Sequence, residues 1–220
     1  YTMKKLILLF FLPFFISFSY AATFTSIASA NWAAATTWSV VGVDANGIPD
    51  ADDNVTITGF TVTMNGNPGA CLSLTINGVA NWGQIRTTNV GAGGLTMNAG
   101  SSITGTATGT LNVAGAFTAT SAAASVNIGR CNLNVTGTAT MNSTGVGSVN
   151  LTNATGTKTF GNLVIPGNFN NAVNIPITIN GNLQNDGTYT VGTGQVTFGG
   201  AATDTIRGTS TTAFTSLRIN

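Results

Sequence analysis

The sequence predicts an all-β protein: a parallel β-solenoid carrying an N-terminal cap rich in Trp and Asp. Three observations carry that expectation. First, an apolar–polar–apolar step, usually followed by Asn, Thr or Ala and then Gly, recurs nine times. It reads LTING from Leu74, LTMNAG from Leu95, LNVAG from Leu111, LNVTG from Leu133 and VNLTN from Val149, then LVIPG from Leu163, ITING from Ile177, VTFGG from Val196 and LRIN from Leu217. The intervals of 21, 16, 22, 16, 14, 14, 19 and 21 residues suggest one strand per interval in a chain that coils on itself. Second, apolar residues two apart on a strand share a face. This directs Leu74, Ile76, Leu95, Met97, Leu111, Val113, Leu133, Val135, Leu163, Ile165, Ile177, Ile179, Val196, Phe198, Leu217 and Ile219 into one core. Third, no stretch after residue 66 carries the i, i+3, i+4 apolar pattern of a useful helix. The competing arrangement is an antiparallel β-sandwich, which the direction of strand pairing would distinguish.

In chain order, residues 3–21 read as a signal peptide. Met3-Lys4-Lys5 is a positive start, LILLFFLPFFISFSY an apolar run, and Ser19 and Ala21 are small residues at the cleavage positions. Pro13 and a length short of about 20 residues disfavour a membrane span. The mature chain is then expected to begin near Ala22, with no membrane span after cleavage and a secreted or cell-surface location. Without Lys4 and Lys5, five basic residues face six Asp, a net charge near −1. No basic patch remains, so nucleic acid is not an expected partner. The charged fraction of 6% forces the exposed surface to be Thr, Asn, Ser and Gly.

Residues 22–66 form the expected cap. They hold Trp32 and Trp38 and four of the six Asp, and Val55–Ile57 and Thr61–Met64 alternate as strands do. A stack of coils needs its first open core face covered, and the Trp pair suits that role. Residues 67–220 form the expected solenoid, truncated at its C-terminal end. Pieces such as ITGTATGT from Ile103, AFTAT from Ala116 and GTYTVG from Gly187 can supply the second or third strand of a coil. A longer repeat aligns Gly145–Leu151 with Gly192–Phe198 and Phe160–Ile165 with Phe214–Ile219. Cys71 and Cys131 precede steps three coils apart. At about 4.8 Å per coil that exceeds the roughly 7 Å a disulfide permits, so both are expected to be buried free thiols.

The wording SANWAAATTW and PDADDNVTITGFTVT in the cap, with VTFGGAATDTIRGTSTTAFTSLRIN at the end, resembles large secreted repeat proteins of Bacteroidetes-type bacteria. That resemblance implies β-solenoid repeats, export by the type IX system and a sorting domain further along. Asp204-Thr205-Ile206 matches the short O-glycosylation signal of that group.

The absences narrow the chemistry. There is no His and no Glu, which removes Ser-His-Asp and Cys-His catalysis and His-based metal sites from this chain. Paired-carboxylate hydrolysis would have to come from Asp alone, and beyond the cap only Asp186 and Asp204 are available. No phosphate-binding glycine motif occurs. The one dense acidic group is Asp44, Asp50, Asp52 and Asp53, with Asn46 and Asn54 beside it. Its oxygens could hold Ca²⁺ on a flexible loop, or simply build an Asx-rich turn into the strand at Val55. Thr-x-Thr pairs at 104–110, 118/120, 136–140 and 155–159 could form a Thr array, but their offsets wander. The expected function is a non-catalytic structural or adhesive repeat protein that contacts surface polysaccharide or other extracellular matrix. The alternative is the N-terminal part of a carbohydrate-binding or carbohydrate-active protein whose active module lies downstream.

Overall fold

The computed structural model describes residues 21–65, 69–144, 146–200 and 203–220. The expected leader, residues 3–21, therefore lies outside the described residues apart from Ala21. Strands and turns make up the described chain. Its only helical element is one 3-10 turn, Ala35–Thr37.

The strands stack as parallel rungs in three ladders, which we call faces 1, 2 and 3 in the order the chain visits them. Strands β3 (Asn54–Ile57), β5 (Ala70–Ile76), β7 (Thr87–Met97), β10 (Phe117–Ala119), β12 (Cys131–Met141), β14 (Lys158–Ile165), β17 (Leu183–Asn185) and β20 (Ile206–Arg207) build face 2. Its inward rungs are Val55, Leu74, Leu95, Phe117, Ala139, Leu163, Leu183 and Ile206, each paired in register with the next. Strands β5, β7, β12 and β14 also run through face 1, joined there by β9 (Gly109–Val113), β16 (Ile177–Ile179), β19 (Val196–Phe198) and β21 (Leu217–Ile219). Register breaks at Cys71/Ser73 and Val135/Thr138 mark the bend between faces 1 and 2. Face 3 is a separate seven-stranded sheet: β4 (Thr61–Thr63), β6 (Val79–Trp82), β8 (Ser102–Gly105), β11 (Val126–Ile128), β13 (Ser148–Leu151), β15 (Asn168–Asn170) and β18 (Thr188–Thr190).

The parallel β-solenoid is thus the observed fold, and the β-sandwich is excluded. Among the described residues the one antiparallel pair joins β1 (Thr23–Ser26) to β2 (Trp38–Val41). Strand β1 also pairs in parallel with β3, and Asn31 bridges to Thr63, so stacking already begins within the expected cap segment. At the end of the stack Trp32 and Trp38 meet edge to face at 5.2 Å, and Trp38 in turn meets Phe24 at 6.2 Å. The Trp38 indole N–H donates to the Trp32 carbonyl at 2.8 Å, so this lid is both apolar and hydrogen-bonded.

Two sequence expectations need correction. The nine steps do not fall one to a coil on a single face: each coil takes three strands, some of them the expected pieces near Ile103, Ala116 and Gly187, and the steps themselves lie on different faces. Leu111, Leu133, Ile177, Val196 and Leu217 lie on face 1; Leu74, Leu95 and Leu163 lie on face 2; Val149 lies on face 3. The intervals of 14 and 16 residues are passages from one face to another, whereas those of 19 to 22 are whole coils. For the same reason the longer repeat is not structural. It equates Val149 on face 3 with Val196 on face 1, and Leu163 on face 2 with Leu217 on face 1.

Fourteen of the sixteen expected core side chains are buried; Leu217 and Ile219 are not. Those two stand in register with Val196 and Phe198, but no described strand covers their other edge. Both cysteines are buried and free. They are also in different columns: Cys71 aligns with Val90, Val113 and Val135, while Cys131 aligns with Gly109. Gly109 itself is required by contact, because a Cβ there would enter the Trp82 indole.

Candidate functional site

The acidic group of the cap is a turn built on its own carboxylates. Asp53 is almost fully buried. Its Oδ1 accepts the Ala22 N–H at 2.8 Å and its Oδ2 the Asp50 N–H at 2.8 Å. Asp44 Oδ1 accepts the Asn46 N–H at 2.9 Å and also the Gly47 N–H, where Gly47 takes a positive φ. Asn46 Oδ1 then accepts the Ile48 N–H at 2.7 Å. These side chains hold their own loop, as Asx residues do.

One oxygen each from Asp44, Asp50 and Asp53 lies within 4.8 Å of the others, and Asp52 is outside that trio. Oxygens this close are within bridging range of a hard cation, which binds oxygen at about 2.3–2.6 Å. Both oxygens of Asp53 and Oδ1 of Asp44 are already engaged by backbone N–H groups. Crowding has a second consequence: the Asp50 carboxyl is pushed up to about 6, first by a hydrogen bond with the Asp52 side chain and then by burial and the charges of Asp53 and Asp52.

The two carboxylates of the coils do not form an acid–base pair with each other's help. Asp186 is half-buried and held in its charged form, below the usual carboxylate range, by Gln184 Nε2 at 2.6 Å and by the Thr209 N–H at 2.9 Å and hydroxyl at 3.1 Å. A carboxylate stabilised in that way is a poor proton donor near neutrality. Asp204 lines a separate depression with Phe198, Ile206 and Ile219.

The outward positions of the ladders carry ordered ranks of polar side chains. On face 2, Thr25, Thr56, Thr75, Thr96, Thr118 and Thr140 occupy one register position on successive rungs. The wandering offsets of the Thr pairs hid this rank, because insertions in the turns change the sequence spacing without changing the register. Among the described residues these six hydroxyls make no hydrogen bond within the protein, whereas neighbouring ranks do. Asn98 Nδ2 donates to Asn77 Oδ1 at 2.6 Å, and Thr120 and Ser143 share a hydrogen bond at 2.9 Å. On face 1, Asn134 donates to Asn112 and Asn112 to Asn89, both at 2.9 Å, forming a side-chain ladder.

A concavity of about 380 Å³ lies in the crease between faces 1 and 2, lined by Asn134, Thr136, Thr159, Asn162, Asn180 and two glycines among others. It contains no ionisable side chain. A smaller depression adjoins it through Asn162 and adds Asn182, Gln184 and Arg207.

One buried group was not foreseen. Lys158 occupies an inward rung of face 1 between Leu133 and Ile177 and is 1% exposed. Its ammonium donates to the Cys131 carbonyl at 2.5 Å, reaches the Gly129 carbonyl at 3.5 Å and touches the Cys131 thiol. Burial holds the Lys158 amine below its ordinary value and the Cys131 thiol above its own. The KTF of Lys158–Phe160 alternates like any other strand, with Lys at an inward position, and that register is the signal that could have found it.

No family model, no curated protein and no solved structure matches the chain.

Proposed function

We propose that this is an exported, non-catalytic structural or adhesive repeat protein whose coils present polar ranks to an extracellular polysaccharide. The observation that carries the reading is the face-2 threonine rank. Six hydroxyls and six methyls recur at the strand spacing of about 4.8 Å, and among the described residues the hydroxyls have no hydrogen-bond partner inside the protein. A polymer with its own regular array of hydroxyls can meet such a rank with many weak contacts at once, and multivalency then supplies the affinity. The crease lined by Asn134, Asn162, Asn180 and Asn182 adds amide donors and acceptors beside it. That concavity also supports the second reading, a carbohydrate-binding part of a larger carbohydrate-active protein.

The resemblance to large secreted repeat proteins and the leader support export. The chemistry of the coils supports a passive role: Asp186 is pinned as a carboxylate, and the concavity offers no acid, base or nucleophile.

The test is a sedimentation assay with insoluble chitin, cellulose and mixed plant glucans, alongside pectin and alginate in solution, with released sugars measured in parallel. Binding without turnover is expected. A Thr75→Val, Thr96→Val, Thr118→Val triple variant, which removes the hydroxyls and keeps the shape, is expected to weaken binding at least fivefold. Turnover that disappears in Asp186→Asn or Asp204→Asn would overturn the non-catalytic reading.

A further inference from the structure

The geometry points to Ala22 as the mature N-terminus, whose α-ammonium closes a buried ion pair with Asp53. This rests on the export reading above and goes beyond it, because it assigns a structural role to the processing event.

Two independent observations meet at one bond. The leader places its small residues at Ser19 and Ala21, so cleavage falls between Ala21 and Ala22. In the fold, burial changes abruptly at that same bond. Ala21 is exposed, whereas Ala22 is fully buried and its nitrogen lies 2.8 Å from Asp53 Oδ1. Ala22 is fixed from the other side as well. Its carbonyl accepts the Asn54 N–H at 2.9 Å, and its Cα lies where any side chain at Gly42 would press on it.

Cleavage changes the chemistry of that contact. Water adds across the Ala21–Ala22 amide; Ala21 leaves as a carboxylate, and the Ala22 amine takes up a proton. A neutral amide N–H facing Asp53 becomes a positive donor facing the same oxygen. The space vacated by exposed Ala21 opens to solvent, so the two further N–H bonds of the ammonium can be hydrated. The contact thus passes from a neutral donor on a charged acceptor to an ion pair, which adds Coulombic attraction to the hydrogen bond.

The ion pair also brings a positive charge to the acidic group of the cap. Asp44, Asp50 and Asp53 crowd together with Asp52 nearby, and the buried Cys71 thiol also feels the Asp53 charge. Arg86, Arg130, Lys158, Arg207 and Arg218 all follow the cap in the chain. The mature amino group places a positive charge directly on Asp53, one of the carboxylates whose charge raises Asp50.

The sign of the pH effect follows. An α-amine that gains a carboxylate partner has a folded-state value above its ordinary value of about 8. Its contribution is fully present below that value and is lost as pH rises through the raised one.

The experiment exports the full chain from a Gram-negative host and reads the N-terminus of the released protein by mass spectrometry. Its thermal unfolding is then compared, from pH 6 to pH 10, with a form that begins at Ser19, in which the Ala22 nitrogen is an amide. The released protein is expected to begin at Ala22 and to melt roughly 3–10 °C above the extended form at pH 7. That gap should narrow above pH 8 and be absent when both forms carry Asp53→Asn. Failure to export would overturn the export reading on which the inference rests. A released chain beginning elsewhere would overturn the assigned bond. A chain beginning at Ala22 with the same melting profile as the extended form would overturn the ion pair and leave export standing.

Discussion

Replacing Asp53 tests whether the acidic group holds the first coil or holds a metal. Each Asp53 oxygen accepts one backbone N–H, from Ala22 and from Asp50, in a buried setting. Asp53→Asn keeps the shape but turns one acceptor into a donor, so one N–H faces an NH₂ group. An orphaned buried donor costs about 1–3 kcal/mol, so a loss of about 2 kcal/mol is expected. Asp53→Ala orphans both donors and should cost about 4 kcal/mol by the same reasoning. The expected falls in Tm are about 4–8 °C and 8–16 °C for a chain of this length. Contacts in a solenoid run only between neighbouring coils, so the damage should stay local at first. Urea unfolding followed by tryptophan fluorescence reports the N-terminal end through Trp32, Trp38 and Trp82, while far-ultraviolet circular dichroism reports the whole stack. The tryptophan midpoint should fall further than the dichroism midpoint. Calcium titrated to 1 mM should raise the Tm of the unaltered protein by less than about 1 °C. Variants with unchanged midpoints, combined with a submillimolar calcium stabilisation lost in Asp53→Asn, would refute the turn and establish a metal site.

Three further outcomes are expected. In the presence of reductant, Lys158→Met should be neutral or stabilising by about 1–2 kcal/mol at pH 7, because a buried amine gives way to an apolar chain between Leu133 and Ile177. The folded-state value of Lys158 is lowered, so the unfolded chain binds more protons and native stability rises with pH up to about 10.5; that slope should vanish in the variant, as urea midpoints at pH 7 and 10 would show. Phe117→Ala, which empties an inward rung between Leu95 and Ala139, should cost about 3–5 kcal/mol by the same urea assay. Cys71 and Cys131 should react with a disulfide dye only at the rate of unfolding, since burial pushes Cys71 up to about 12 and Cys131 is raised by the same cause; fast labelling in native buffer would contradict that.

The fold class was legible because a parallel stack repeats its chemistry on every coil, and the inward pairs Leu74/Ile76 through Val196/Phe198 are all where the alternation puts them. The coil was not legible, and the reason is physical. A parallel ladder fixes register by backbone hydrogen bonds and inward packing, not by the number of residues in the turn. From Val55 to Ile206 the face-2 rungs are 19 to 24 residues apart, yet every pair is in register. Variation in the turns thus erased the constant offset that a sequence reader needs. It also made strands from different faces look equivalent, since all three faces use the same apolar–polar–apolar step. The outward threonines suffered most, because nothing in a single coil distinguishes Thr96 on the rank from Thr104 on face 3; only the pairing does. Lys158 fails for the opposite reason: its position was readable, but its charge contradicted burial, and the carbonyls that accept its hydrogen bonds are supplied by the neighbouring coil. At Asp53 sequence and structure each hold half of the argument. The structure shows a buried carboxylate facing the Ala22 nitrogen, and the proposed cut beside it is read from the small residues Ser19 and Ala21.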